Sequence, residues 1–583
     1  MQHEPMQQAS RHYESVDALE RHLAGAASAF DGARLLANDE AERFPEDACA
    51  ALDACGFFRF YVPHELGGAW RGTDELIYVL RAVARRDLSV AIAHAKTFLG
   101  SAPVWVAGDE RQRRRVARLV LEGKAVALGL TERAHGADLA ASEVAARPTA
   151  RGFELFGEKW LINNATRGAA LSVLARTSEE PGPSSMSVFL VEKALLPAKT
   201  FKHHPKIPTL GIRGADISGI AFDGAPVGLA DCVGGVGKGL EVALKTLQVT
   251  RTLCCGLSLG AGDSALRVSA SFAQNRRLYA GSVLDLPSAR AKLLGAYADL
   301  LLAECAALAA ARSLHTAPEQ ASVSSALVKY VVPTLVDDLI DEAAVILGAR
   351  HYLRGSYAAG LFQKLQRDHR LVALFDGSTM VNLSALSVQL KRLNRPLTAS
   401  DAAAAARRVA HTFDLRRPLP AFERERLQLA SPSGNDVLDA LSDPKLDGLT
   451  PALRQEAQQL DQVLRQLRLE LQKLSDAGGA WHQTAQAYEL ARRYALLHAA
   501  GCCLHWWSHS RAWLADGFGD DTWVQVCMAR ARARAVGSPS ASAVEEPLAL
   551  GQLLLEQLAQ SESFSILGGP ARGAPYAQME DLS

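Results

Sequence analysis

A chain of 583 residues, 48% of them hydrophobic, can bury several cores, and a prior of roughly 150 residues per domain gives three or four units. Lysine plus arginine number 63, as do aspartate plus glutamate, so no global field draws in nucleic acid or an anionic membrane. Nine cysteines include the adjacent pairs Cys254–Cys255 and Cys502–Cys503 but no C-x-x-C, which argues against a disulfide framework and against metal-ligand spacing.

A reducing, cytoplasmic setting is therefore the expectation. The polar N-terminus has no apolar stretch of the secretory kind, and nowhere do about 18 apolar residues run without a charge. Aromatic residues make up only 6%, and abundant Ala and Leu favour helices. In residues 1–123 apolar positions recur at three and four, as in ALDACGFFRFYV and ELIYVLRAVARR, with a helix start at Pro45. Residues 124–232 change period. AVALGLT, FELFGEKWLI, LSVLART, SMSVFLVE and ISGIAFDG read as short strands separated by Gly, Pro and Asn. Helical pattern returns over 233–395 in three long segments beginning near Leu240, Ala289 and Val332, each suited to a packed bundle. A further segment, 396–583, is loop-rich and then strongly helical from Pro451, with a tail after about Gly568 that reads as poorly ordered. The fold class expected is mainly α with a small β-domain: a helical N-terminal domain, a barrel-like middle domain, a four-helix bundle and an extra helical domain.

Within this frame LQRDHRLVALFDGST (Leu365 to Thr379) sets a carboxylate, Asp376, on a tight Gly turn in an apolar segment. Burying a charge without a partner costs several kcal/mol, so such a carboxylate needs a job. TERAHGAD follows the first strand of the middle domain, and GEKWLINN (Gly157 to Asn164) lies on the next. NRRLYAG and VILGARHYLRG come later, in the bundle. The order and spacing of these segments resemble the acyl-CoA dehydrogenase family over about Leu36 to Leu393.

That resemblance implies FAD as the cofactor, held at the first strand by Leu130, Thr131, Gly136 and Asp138, with Ala137 where the family has Ser. By the same resemblance Leu161 stands at the family's aromatic position and Asn163 at its Thr, both against the flavin. Trp160, one place early, reads equally as a strand residue packed on a neighbour. Arg276 and Tyr279 match the segment that contacts the diphosphate, a solvated helix-face Arg being the plain alternative. Gly348 matches a glycine-rich approach to the dinucleotide of a neighbouring subunit, although Ala349 and His351 add side chains there. The family pattern further implies that Ser378 and Thr379 contact the dinucleotide, and that Thr250, Arg251, Phe375 and Gly377 line the substrate. Arg367 and Asp368 read as an ion pair anchoring the turn.

The chemistry implied is α,β-dehydrogenation of an acyl-CoA or acyl-carrier-protein thioester. Asp376 takes the α-proton and flavin accepts the β-hydride. The family normally carries Glu at this turn, and Asp reaches about 1.5 Å less, one carbon–carbon bond. Thr250 cannot serve as a relocated base. Implied partners are electron-transfer flavoprotein or oxygen as acceptor and further copies of the chain in a homodimer or homotetramer. Two other readings are a flavin oxidase like nitroalkane oxidase and a flavin-retaining scaffold without catalysis; balanced charge argues against a DNA-binding scaffold. The C-terminal segment is similar in size and position to the extension of very-long-chain acyl-CoA dehydrogenases. Five of the eight tryptophans lie in it, suiting helix packing first and peripheral membrane contact second. No metal is expected: HWWSH spaces His505 and His509 one turn apart but offers no third ligand. VGGVGKGLE fails as a phosphate loop. RQRRRVAR and Arg530, Arg532 and Arg534 read as solvated helix faces.

Overall fold

Asp87 and Asp109 mark how the first helices begin. Asp87 accepts the backbone N–H of Val90 to start the helix Leu88–Ala107, and Asp109 forms a capping box with Gln112 to start the helix Glu110–Leu121. The computed structural model describes residues 13–573, apart from 181, 356, 396–397, 433, 443–447 and 539–547. Its N-terminal helices are α1 (Glu14–Gly25), α2 (Gly32–Glu40), α3 (Glu46–Ala54), α4 (Thr73–Arg86), α5 (Leu88–Ala107) and α6 (Glu110–Leu121). α5 is apolar on nearly every face and is accordingly buried along most of its length.

The middle domain is one eight-stranded sheet with its own core, which includes Leu155, Ile162, Phe189 and Ile220. In chain order its strands are β1 (Val126–Gly129), β2 (Ala145–Thr149), β3 (Gly152–Asn163), β4 (Ala170–Arg176), β5 (Met186–Glu192), β6 (Phe201–His204), β7 (Ile217–Gly228) and β8 (Cys232–Val233). They run in the order β6-β7-β3-β2-β4-β5-β8, with β1 joined parallel to β4. The sequence reading finds β1, β3, β4, β5 and β7. It misses β2, which carries Pro148, β6, which is short and polar, and β8, which is only two residues long; each exists because a longer neighbour offers its edge.

The bundle consists of α7 (Gly239–Asn275), α8 (Pro287–Thr316), α9 (Ala321–Leu347), α10 (Leu361–His369) and α11 (Thr379–Leu393). α4 crosses α7 closely because Gly256 and Gly260 lie one turn apart. A Cβ at Gly256 would come within 2.6 Å of Ile77 O, and one at Gly260 within 2.6 Å of Arg81 O. α8 is long and apolar enough to cross a membrane, but its apolar window is 94% buried inside the protein, as a core helix is. α9 starts eleven residues before the expected Val332. Pro333 lies inside the helix rather than at its head, held there by packing on α7 and α8.

Beyond the bundle come α12 (Ala399–Phe413), α13 (Asp436–Asp439), α14 (Pro451–Asp476), α15 (Ala485–Ser510), α16 (Thr522–Val536) and α17 (Leu548–Ala559). α15 and α16 lie on α8. Trp506 donates its indole N–H to Cys305 O at 3.0 Å, and Trp506, Trp507 and Trp523 are buried, so these three belong to packing. Arg530, Arg532 and Arg534 are not a solvated face. Arg530 grips Asp299 of α8 through two bonds of 2.7 Å, Arg534 reaches Asp299 and Asp338, and Arg532 pairs with Glu456. Nor is the tail loose up to Gly573. Arg81 of α4 donates to Phe564 O, Arg85 to Ser563 Oγ, and the Arg572 N–H reaches Glu20 of α1. Residues 574–583 lie outside the described residues.

Candidate active site

A cavity of about 720 Å³ opens where the middle domain meets the bundle. Its walls include Leu130, Thr131 and Gly136 after β1, Leu161 and Asn163 at the end of β3, and Arg251 of α7. Phe375, Asp376, Gly377 and Ser378, on the turn between α10 and α11, are the other expected site residues that reach it. A second pocket of about 30 Å³ shares Lys96 and Asp376 with the first and is otherwise mostly apolar, with Tyr61, Phe98, Thr250 and Cys254 in its wall. Thr250, expected on the substrate, therefore lines this smaller pocket, and its buried hydroxyl has no hydrogen-bond partner.

The turn carrying Asp376 is built from two successive residues of positive φ, Asp376 at 56° and Gly377 at 99°. Asp is among the few side chains that tolerate this region. Gly377 is required twice over, since a Cβ there would lie 2.7 Å from the Arg251 guanidinium. Arg251 Nε donates to Asp376 O at 2.8 Å, while Lys329 Nζ donates to Val372 O at 2.6 Å and Gly377 O at 3.3 Å. Ser378 then caps α11 by accepting the Val381 N–H.

The Asp376 side chain is 8% exposed. Lys96 Nζ of α5 lies 3.5 Å from its Oδ1, and Cys254 Sγ of α7 donates to Oδ2 at 3.2 Å. Burial drives the Cys254 thiol far above its ordinary value, helped by the neighbouring carboxylate, so it is a neutral donor. Burial pulls both Arg251 and Lys329 below their ordinary values, with Asp376 among the groups opposing the shift. Lys96, Cys254 and Lys329 escape the sequence reading. A signal exists for the lysines, since a lone Lys in an apolar helix invites the same question as a lone Asp.

On the opposite wall, the pairing of β3 with β7 slips between Trp160 and Ile162. Leu161 takes φ of 55° at that bulge and presents its side chain, 40% exposed, to the cavity. Both amide atoms of Asn163 are buried without a partner, as befits a side chain awaiting a ligand. Trp160 itself stacks under Arg133 at 4.9 Å and its backbone N–H bonds Thr131 O, the packing role. Glu132 and Lys159 hold the loop rather than a ligand. Lys159 Nζ bonds Glu132 Oε1 and Leu130 O, and Glu132 also accepts the N–H groups of Glu143 and Val144. Although burial raises the Glu132 carboxyl, these donors hold it below its ordinary value, while burial takes the Lys159 ammonium down to about 8.

Five expected residues do not line either cavity: Asp138, Arg276, Tyr279, Gly348 and Thr379. Asp138 is exposed ahead of a short 3-10 turn, and Arg276 caps the far end of α7. Tyr279, 96% exposed, tips the small hairpin after that helix, and Gly348 ends α9. Thr379 is the first residue of α11, one step past the cavity wall. Arg367 and Asp368 are not an ion pair with each other. Arg367 pairs with Asp39 and donates to Leu210 O, whereas Asp368 pairs with Lys364 and accepts from Ser89 and the Ile212 N–H. Each thus ties α10 to both the N-terminal and the middle domain. No group of three metal-binding side chains occurs among the described residues, and His505 bonds Val437 O.

Models of the N-terminal, middle and C-terminal domains of acyl-CoA dehydrogenases match residues 23–124, 127–225 and 237–390. The chain belongs to the acyl-CoA dehydrogenase family. Among its relatives, a probable acyl-CoA dehydrogenase of Mycobacterium leprae is 28% identical over 360 residues, covering 61% of this chain and 90% of that protein. A subunit of the caffeyl-CoA reductase–Etf complex of Acetobacterium woodii is 25% identical over 357 residues, 60% of this chain and 91% of that one. The crystal structure of a Bacillus anthracis acyl-CoA dehydrogenase complexed with FAD superposes with a TM-score of 0.69 at 18% identity, covering 96% of this chain and 94% of that one. The fold of the C-terminal extension is therefore shared beyond this chain.

This acyl-CoA dehydrogenase family member is an FAD-dependent oxidoreductase. The 720 Å³ cavity and the orphaned Asn163 amide fit a flavin, whose ring presents carbonyls and ring nitrogens to such a donor. Leu130, Thr131, Gly136, Leu161 and Asn163 would hold it on the middle-domain side, and Ser378 on the bundle side. FAD, when bound, supplies a two-electron hydride acceptor.

Proposed function

We propose that this enzyme dehydrogenates an acyl thioester between its α and β carbons, with Asp376 as the base. The observation that carries the reading is a buried carboxylate on the wall of a 720 Å³ cavity fit for a flavin, with a small apolar pocket on its other side. Asp376 would take the α-proton on a carboxylate oxygen. Arg251 and Lys329 keep the turn rigid, which matters because a misplacement of about 1 Å can cost roughly 10²-fold in rate. Leu76, Leu80, Phe98 and Leu257 make the smaller pocket apolar and keep that side of the carboxylate dry.

The tether, CoA or carrier protein, belongs to the same reading, as does the acceptor, with electron-transfer flavoprotein favoured by the relative drawn from an Etf complex. Arg276, Tyr279 and Gly348 lie off the cavity, which supports a homodimer or homotetramer in which they meet a neighbour's dinucleotide. The nine cysteines carry no disulfide, which supports a cytoplasmic setting. Anaerobic mixing of the purified enzyme with a panel of acyl-CoA and acyl-carrier thioesters tests the reaction by bleaching of the flavin. Asp376→Asn should retain bound flavin and lose bleaching entirely; bleaching at the wild-type rate removes Asp376 from the role. Oxygen consumption without an added acceptor would move the enzyme to the oxidase reading.

A further inference from the structure

Lys96 stands in the run IAHAKTFLG of α5, where its neighbours Ile92, Phe98 and Leu99 are apolar and face the two cavities. It is 8% exposed, and an ammonium so placed is costly unless it is paired. The ion pair found for it among the described residues is Asp376 Oδ1, and the face of the Phe375 ring lies 3.6 Å away. The other groups around Asp376 act on its carboxylate without forming an ion pair among the described residues. Arg251 and Lys329 of α7 and α9 donate to backbone carbonyls, and Cys254 of α7 is held neutral by burial.

Resting on the dehydrogenation proposed above, we infer that Lys96 is the counter-ion of proton abstraction. In that step the Cα–H bond breaks and an O–H bond forms on Asp376. The electron pair passes to the thioester oxygen as an enolate, and the carboxylate becomes a neutral acid. The negative charge thus leaves Asp376 for the substrate while Lys96 remains beside both, so the buried ammonium never loses its compensation. Three cations surround a single carboxylate here, an excess that favours negative charge on the substrate as it develops. Lys96 is a positioning residue for the base, and its effect belongs on the chemical step more than on binding.

The test uses the flavin-loaded enzyme and two probes, butanoyl-CoA and octanoyl-CoA. Exchange of the α-hydrogens in deuterated buffer is followed by mass spectrometry, and steady-state rates are measured alongside. Lys96→Met should retain its flavin and lower both exchange and kcat by about 10²-fold, the scale of losing one electrostatic stabiliser, with KM within about threefold. Lys96→Arg should recover to within about tenfold of wild type. Lys96→Gln keeps polarity without charge and takes the place of the Met variant if that one loses its flavin. Wild-type exchange rates in the uncharged variant, or a loss confined to KM, overturns the inference while leaving the dehydrogenation intact. If wild type exchanges neither probe and bleaches with no thioester in the panel, the dehydrogenation reading fails and Lys96 loses its role with it.

Discussion

At Asp376 and Gly377 the backbone, more than the side chain, dictates what can be tolerated. Two consecutive left-handed residues point the Asp376 carbonyl at Arg251 and its carboxylate at Lys96 and Cys254. Gly377→Ala adds a methyl 2.7 Å from the Arg251 guanidinium in a conformation that L side chains avoid. The expected outcome is a loss of about 2 kcal/mol in stability, seen as a lower thermal midpoint, together with flavin bleaching slowed at least tenfold. An alanine variant with wild-type midpoint and rate would show that the turn has another way to close.

At the scale of elements, the end of β3 shows what a pattern can and cannot convey. The alternation in FELFGEKWLI marks a strand, but nothing in it marks the slip after Trp160, because that bulge is fixed by the register against β7. The slip is what aims Leu161 and leaves the Asn163 amide orphaned at the cavity. Asn163→Ala should weaken FAD binding to the apo-protein by about tenfold, the worth of one hydrogen bond, as measured by quenching of flavin fluorescence. The long helices and five of the strands are legible because their periodicity is local, and Asp376 because a charge interrupts an apolar run. Lys96, Cys254 and the separate partners of Arg367 and Asp368 are not, since each depends on which helices touch. Arg530, Arg532 and Arg534 show the same limit. Their period-two spacing looks solvated on one helix and becomes a row of ion pairs only when α16 lies on α8 and α14.

At the scale of the whole molecule, buried polar groups as well as apolar ones bind the extension. His498 on α15 is fully enclosed, and burial, with His505 adding to it, takes its imidazole down to about 3. An unfolded histidine titrates near 6.5, so between those values the unfolded chain takes up a proton that the folded one refuses. This contribution is therefore complete above pH of about 6.5 and shrinks as the pH falls towards 3, by up to about 1.4 kcal/mol per unit. Denaturation midpoints from neutral to mildly acidic pH should show that slope, and His498→Gln should flatten it. An unchanged slope in the variant would assign the acid sensitivity to other groups.

The closing residues of the chain reach back to its opening helices, where Arg81, Arg85 and Arg86 of α4 meet Glu20 of α1, Asp263 of α7 and Glu304 of α8. During synthesis α1 and α4 leave the ribosome more than four hundred residues before Ser563, Phe564 and Arg572 do. Until residues 563–572 have been made, this cluster of guanidinium and carboxylate groups lacks its last acceptors and donors, and a half-satisfied buried cluster is poorly stable. The N-terminal domain thus completes its buried polar cluster only after residues 563–572 have emerged, which ties its maturation to the making of the extension.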